Sequence, residues 1–185
     1  VGYTNAGKST LINTLTDAGV LAEDKLFATL DTTTRKVKLP NGTEILLTDT
    51  VGFIQKLPHH LIQAFRATLE ELNFADILIH VVDASNENRQ EQMNIVYQTL
   101  KGLHCETTPV ITVYNKIDKN VQTPLPIDNI ARDRIAISAK TKKGLDVMLE
   151  KIETLLKSFR TAMKVFLPYT DGSLLNMVHG KCEII

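Results

Sequence analysis

Residues 2–9 of the chain read Gly2-Tyr3-Thr4-Asn5-Ala6-Gly7-Lys8-Ser9, which fits the pattern G-x-x-x-x-G-K-[S/T]. In such a loop the backbone N–H groups point inward and cradle the phosphates of a nucleotide. We expect Lys8 to reach the β- and γ-phosphates and Ser9 to bind Mg²⁺. The start of the following helix, including Thr10, should face the same anion. The pattern also occurs by chance in glycine-containing turns, so the rest of the chain must decide.

A second motif, Asn115-Lys116-Ile117-Asp118, follows the apolar run 110–114, which is typical of a buried parallel strand. The Asp118 carboxylate can accept hydrogen bonds from N1–H and the 2-amino group of guanine, and adenine offers neither group. A site whose buried acceptor is left unpaired by adenine can discriminate between guanine and adenine by roughly 10⁴-fold or more. We expect Asn115 to connect this loop to the phosphate loop, and the stem of Lys116 to cover one face of the base. Alone, the motif also fits an ordinary polar turn.

Two further motifs follow predicted strands. Asp49-Thr50-Val51-Gly52 comes after the run 44–48, and Ser138-Ala139-Lys140 comes after the run 134–137. We expect Asp49 to hold Mg²⁺ through water and the Gly52 N–H to approach the γ-phosphate. Backbone groups of the Ser138 motif could contact the edge of the base. Four motifs in this order, each at a strand end, predict a site for GTP or GDP with Mg²⁺.

With these motifs in place, the chain resembles the HflX family of translational GTPases. The segments that carry the resemblance are Val1-Gly2-Tyr3-Thr4-Asn5-Ala6-Gly7-Lys8-Ser9-Thr10-Leu11, Leu26-Phe27-Ala28-Thr29-Leu30-Asp31, Asp49-Thr50-Val51-Gly52-Phe53-Ile54, Leu57-Pro58-His59 and Ala64-Phe65-Arg66-Ala67-Thr68-Leu69-Glu70-Glu71. The resemblance implies that Thr29 is the switch threonine that binds Mg²⁺ and closes on the γ-phosphate, with its neighbours in residues 27–31 also at the nucleotide. Spacing alone leaves Thr29, Thr32, Thr33 and Thr34 open. The family usually has proline where this chain has Thr32, which loosens the expected switch backbone.

The resemblance also implies a cellular role. HflX-like proteins bind the large ribosomal subunit and its rRNA, and can split or rescue stalled or idle ribosomes under heat stress. Much of that contact comes from a domain ahead of the GTPase domain, which these 185 residues lack. We therefore expect the chain to be a fragment of a monomeric protein. Its first strand is expected to be truncated at Val1, and the fragment should be unstable in isolation. One alternative is a ribosome- or RNA-binding module whose splitting activity needs nucleotide binding but not hydrolysis. Another is an ATP-using enzyme of the phosphate-loop class.

The hydrolytic machinery is expected to be weak. Lys8, Thr29 and Gly52 are the predicted catalytic residues, but the position where many GTPases carry a water-orienting glutamine is Phe53. An apolar side chain cannot orient water by hydrogen bonding. We therefore expect slow intrinsic GTP hydrolysis that a partner stimulates.

The composition excludes some classes of protein. Formal net charge is +0 from 21 basic and 21 acidic residues, which is not the balance of an autonomous nucleic-acid binder. Cys105 and Cys182 do not make a disulfide framework, and free thiols fit the cytoplasm or an organellar matrix. No run of about 20 apolar residues occurs, so we expect no membrane span.

Alternating strand and helix patterns predict a three-layer α/β/α fold of the P-loop NTPase class, with a mostly parallel sheet. Asn41-Gly42, between the strand-like runs 37–39 and 44–48, predicts one antiparallel edge hairpin. Helices are expected over residues 8–16, 61–72, 88–100 and 145–156, and a strand over residues 77–82, where His80 should be a satisfied core residue. The predicted domains are the GTPase domain, 1–158, and the start of a small C-terminal α/β domain, 159–185.

Overall fold

A computed structural model describes residues 1–16, 33–53, 69–119, 121, 124–160, 164 and 166. Strands and helices alternate along these residues, as the hydrophobic pattern predicts. The elements in chain order are α1 (Lys8–Thr16), β1 (Thr33–Lys38), β2 (Glu44–Asp49), a 3₁₀ helix (Glu70–Phe74), β3 (Leu78–Asp83), α2 (Arg89–Gly102), β4 (Val110–Asn115), β5 (Asp133–Ala136) and α3 (Leu145–Ser158).

Three of the strands form a parallel sheet in the order β3–β4–β5. All six residues of the central strand β4 are buried, which accounts for its mostly apolar sequence, in which Thr112 and Asn115 are the polar exceptions. Residues 1–3 continue the parallel pairing on the other edge of β3, because Val81 N donates to Val1 O at 2.8 Å. On their far side, Phe53 N donates to Gly2 O at 3.0 Å. The start of the chain therefore lies between β3 and the segment that follows β2.

The antiparallel pair is the hairpin β1–β2, in which Lys38 lies opposite Glu44 and Thr33 opposite Asp49. Its turn uses Gly42 at φ 87°, a left-handed conformation that glycine adopts without steric cost. β1 starts at Thr33, well before the predicted residue 37. The polar residues Thr33 and Thr34 obscure the strand in the sequence because they lie on an exposed surface. The predicted α/β fold, with a parallel sheet and one antiparallel hairpin, is confirmed.

One apolar cluster lies where α2 packs against β3, and the 3₁₀ helix and the segment after β2 also contribute to it. Its buried members are Val51, Phe53, Leu69, Leu72, Leu78, Val96, Leu100, Cys105 and Val110. His80 of β3 is 1% exposed, and its ring meets Tyr97 edge-on with centroids 5.1 Å apart. Its Nδ1 has no hydrogen-bond partner among the described residues, so the expectation of a satisfied histidine is wrong at that atom. Burial lowers the pKa of His80 to about 3.

Several predictions fall on residues outside the described ranges. They are the switch segment 27–31, most of the predicted helix 61–72, and most of the predicted C-terminal domain 159–185. The chain divides into two compact units, Val1–Leu155 and Leu156–Ile185. The domain assignment of 1–158 and 159–185 remains a prediction. Within the described residues, no helix combines the length and the apolar character needed to cross a membrane.

Candidate nucleotide-binding site

The phosphate loop connects residues 1–3 to α1, and its two glycines are required by close contacts. A Cβ added to Gly2 would lie 2.3 Å from Val81 O, and one added to Gly7 would lie 2.3 Å from Asn115 Nδ2. Gly7 also has φ 96°, a backbone conformation that disfavours any side chain. The loop therefore packs directly against β3 on one side and the end of β4 on the other.

Lys8, the first residue of α1, curls back over this loop. Its Nζ donates to the carbonyl oxygens of Gly2 and Tyr3, each at 3.2 Å. Burial lowers the pKa of Lys8 to about 8, while the charge of Asp49 opposes that shift. Gly52 approaches the same place, because a Cβ there would lie 2.8 Å from Thr4 Cα and 3.0 Å from Lys8 Nζ. The ammonium group and the Asp-x-x-Gly segment thus meet at the phosphate loop.

Ser9 and Asp49 form a pair of oxygen donors beside Lys8. The Ser9 hydroxyl donates to Asp49 Oδ2 at 2.6 Å, and Asp49 is buried at the end of β2. A hydroxyl and a carboxylate are the hard oxygen ligands that suit Mg²⁺, so these side chains fit the predicted metal. Thr50 and Val51, which follow Asp49, are buried, whereas Thr10 is half-buried on α1.

Asn115 connects the two halves of the site through its buried side chain. Its Nδ2 donates to Ala6 O at 3.0 Å, and its Oδ1 accepts from Ala139 N at 2.9 Å. One amide thereby ties the phosphate loop to the Ser138 motif. The predicted link between the Asn115 loop and the phosphate loop is confirmed, and the link to Ala139 was not foreseen.

Lys116 and Asp118 follow at the rim of the site. Lys116 Nζ donates to Asn5 O at 2.6 Å and to Asp83 Oδ2 at 2.8 Å, while Ile117 N donates to Ile137 O at 3.2 Å. Asp118 is exposed, and the hydrogen bond from Ser138 Oγ, 2.6 Å long, lowers the pKa of its carboxyl. The sequence predicts Asp118 to be a buried acceptor. It is not buried in this structure, so a bound base would itself have to cover it.

The four motifs therefore lie at one edge of the fold. Lys140 is exposed there, next to the buried Ser138 and Ala139. Thr29 and the rest of residues 27–31 lie outside the described ranges, so their expected place at the nucleotide remains a prediction. Asp83 also borders the site through Lys116, although none of the sequence motifs includes it. The available signal was its position, since Asp83 ends β3 just as Asp49 ends β2 and Asn115 ends β4.

Phe53 follows Gly52 but turns away from the site. Its side chain is 1% exposed and belongs to the same apolar cluster as Val51 and Leu69. The position that carries a water-orienting glutamine in many GTPases is thus occupied here by a core residue.

Residues 1–116 match the family described as 50S ribosome-binding GTPase. The chain belongs to this GTPase family. Among its relatives, the protein named GTPase HflX from Lacrimispora saccharolytica is 52% identical over 185 residues, which is 100% of this chain and 44% of that protein. The GTPase HflX of Escherichia coli is 40% identical over 94% of this chain and 42% of its own length. The predicted membership of the HflX family is confirmed, and the chain spans less than half of these relatives.

A solved structure is similar as well. The GTP-binding protein of Sulfolobus solfataricus, in complex with GDP, superimposes with a TM-score of 0.67 at 28% sequence identity. The match covers 86% of this chain and 51% of the archaeal chain.

Proposed function

We propose that this chain forms the GTP-binding and GTP-hydrolysing domain of an HflX-like protein that associates with the large ribosomal subunit. The observation that carries the proposal is the meeting of Lys8 and Gly52 at the phosphate loop, with Asn115 joining that loop to the base-recognition motifs. Relatives named GTPase HflX and membership of a family described as 50S ribosome-binding support the same assignment.

Each group has a defined task in this proposal. The Lys8 ammonium stabilises charge on the transferring phosphoryl group, and the Gly52 N–H binds the γ-phosphate. Asp118 accepts the two N–H groups of guanine, and Ser138 keeps that carboxylate oriented. Ser9, Asp49 through water and, by the family resemblance, Thr29 would hold Mg²⁺, which when bound would neutralise phosphate charge.

We further propose that hydrolysis is slow until a partner intervenes. Phe53 lies in the core and cannot orient water, so an essential part of the apparatus has to come from elsewhere. Unassisted rates of around 10⁻⁴ s⁻¹ and stimulation of up to about 10⁵-fold are known for such enzymes. Single-turnover GTP hydrolysis should be measured with and without 50S subunits. A fast rate for the protein alone would refute this part of the proposal.

The finer role, splitting or rescue of stalled or idle ribosomes under stress, has two versions. In the first, hydrolysis drives the change in partner affinity by releasing the switch segments. In the second, nucleotide binding suffices and hydrolysis only resets the protein, a version that the buried Phe53 favours. Splitting of 70S ribosomes should therefore be compared with GTP and with a non-hydrolysable analogue. Equal single-round splitting supports the second version, and loss of splitting with the analogue supports the first.

We place the protein in the cytoplasm, with an organellar matrix as the alternative, and propose a monomer. The free buried thiol of Cys105 fits a reducing compartment, and a ribosomal partner fits the same location. Light scattering on the intact protein would test the monomer, and a stable dimer at micromolar concentration would contradict it.

A further inference from the structure

Asp83, the last residue of β3, forms an ion pair with Lys116 of the base-recognition loop, residues 115–118. Asp83 itself belongs to none of the four motifs. Its Oδ2 accepts from Lys116 Nζ at 2.8 Å, and the two side chains are 15% and 22% exposed, respectively. The same ammonium donates to Asn5 O at 2.6 Å. The Lys116 ammonium group thus joins β3, the base-recognition loop and the phosphate loop.

The second carboxylate oxygen of Asp83 is held from the other side. Oδ1 accepts from Ser85 N at 3.0 Å and from Ser85 Oγ at 2.6 Å. Burial acts to raise the pKa of Asp83, but the hydrogen bonds from Lys116 and Ser85 outweigh it and keep the pKa below the usual value. Asp83 is therefore ionised at neutral pH, and its bond to Lys116 is charge-assisted.

Lys116 is a residue that needs such support. Its φ is 68°, a left-handed conformation that is costly for a residue with a Cβ. Its four-carbon stem also loses rotamer freedom when it is fixed. The structure gives the Lys116 ammonium group two acceptors, Asp83 Oδ2 and Asn5 O. Without Asp83, the neutral carbonyl of Asn5 would remain of these two.

We infer that Asp83 is a positioning residue for purine binding, which fixes Lys116 so that its aliphatic stem offers a flat apolar surface to one face of the base. The inference rests on the proposed function, because it requires guanine to bind where the sequence predicts the Lys116 stem to cover one face of the base. Asp83 contacts neither Lys8 nor Ser9 in any hydrogen bond described above, so it should act on nucleotide affinity and not on the phosphoryl step.

The substitution Asp83→Asn removes this support with little change in size. An amide offers one acceptor, but both sides of Asp83 present donors, so either Lys116 or Ser85 must face an NH₂ group. We expect the Kd for GDP to rise about 10-fold, as suits the loss of one charge-assisted hydrogen bond. The single-turnover rate at saturating GTP should change less than about 2-fold, since the reacting groups stay in place.

Asp133→Asn is the matched control. Asp133 also bonds a lysine through one oxygen, Lys151 Nζ at 2.9 Å, and a backbone N–H through the other, Arg134 N at 3.0 Å. It lies at the opposite end of the parallel strands from the site, so its variant should bind GDP as the wild type does.

A double-mutant cycle separates positioning from general destabilisation. Lys116→Met alone should weaken GDP binding by about 10-fold or more, and adding Asp83→Asn should then cost less than about 2-fold, because Asp83 acts through Lys116. Additive effects would overturn the inference, as would a Kd for Asp83→Asn equal to that of Asp133→Asn. A wild-type protein that binds no GDP would overturn the proposed function as well, which distinguishes the two failures.

Ser85→Ala decides the matter if Asp83→Asn does not fold, as judged by circular dichroism. It removes the hydroxyl that orients Asp83 and leaves the backbone N–H in place. We expect GDP binding weakened about 2- to 3-fold at an unchanged single-turnover rate. Wild-type affinity in Ser85→Ala would then overturn the inference.

Discussion

The site has a phosphate end, at residues 2–9 and 49–52, and a base end, at residues 115–118 and 138–140. The two ends are held in place by different kinds of contact. At the phosphate end, close packing depends on the absence of side chains at Gly2, Gly7 and Gly52. Loops of this kind bind phosphate through backbone N–H groups. At the base end, polar side chains such as Asn115 and Lys116 reach across to other strands and loops. The first end should be sensitive to added atoms, and the second to the removal of hydrogen-bonding groups.

The largest effect is expected from Gly7→Ala, where the two ends meet. The new Cβ would lie 2.3 Å from Asn115 Nδ2 at a backbone φ of 96°, so the loop or the amide must move. We expect GDP affinity to fall by about 100-fold or more, measured by titration with a fluorescent GDP analogue. Gly102→Ala is the control, because a Cβ there meets nothing within 4 Å. Equal affinities for the two variants would contradict the packing described here.

Asn115→Ala tests the side-chain connection itself. It leaves Ala6 O and Ala139 N buried without this partner, which should lower the free energy of unfolding by about 2–3 kcal/mol. GDP affinity should fall as well, since both loops lose their tie. Urea unfolding and GDP titration measure the two effects. The exposed Asn94→Ala on α2 should change neither, and a stability loss no larger than in that control would count against the connection.

At the phosphate end, GDP binding should be accompanied by proton uptake at Lys8. The pKa of Lys8 is lowered to about 8 in the ligand-free protein, and nearby phosphates would raise it. At pH 8, GDP binding should therefore take up about half a proton per site, whereas at pH 6 it should take up almost none from Lys8. Calorimetry in buffers of different ionisation enthalpy measures this number. Lys8→Met should abolish the uptake, and identical uptake in that variant would assign it to another group.

The smallest effect on the nucleotide is expected at His80, inside the sheet that carries the base end. Its pKa is about 3 when folded, so the unfolded chain binds a proton first as the pH falls below about 6.5. This group therefore lowers stability between pH 6.5 and 3, by up to about 1.4 kcal/mol per pH unit. His80→Leu should flatten that slope in urea unfolding and leave GDP affinity unchanged at pH 7. The exposed His104→Asn serves as the control, and an unaltered slope in His80→Leu would contradict the shift.

The difference between the two ends also explains what the sequence could predict. Local rules sufficed for the phosphate loop, the hairpin turn at Asn41-Gly42 and helix α1, because each depends on neighbouring residues. The start of β1 at Thr33 does not follow from the sequence, because the first residues of this strand are exposed and need not be apolar. The roles of Asp83 and Ser138 depend on which side chains the parallel sheet brings together across distant parts of the chain. The exposure of Asp118 likewise depends on the folded loop and not on its motif.

Preference for guanine is the most direct test of the whole account. GTP and ATP should compete for the intact protein loaded with a fluorescent GDP analogue, alongside the variant Asp118→Asn. We predict that GTP displaces the probe at concentrations at least about 100-fold below those of ATP, and that Asp118→Asn loses most of this preference. Displacement by GTP and ATP at equal concentrations would contradict the central claim.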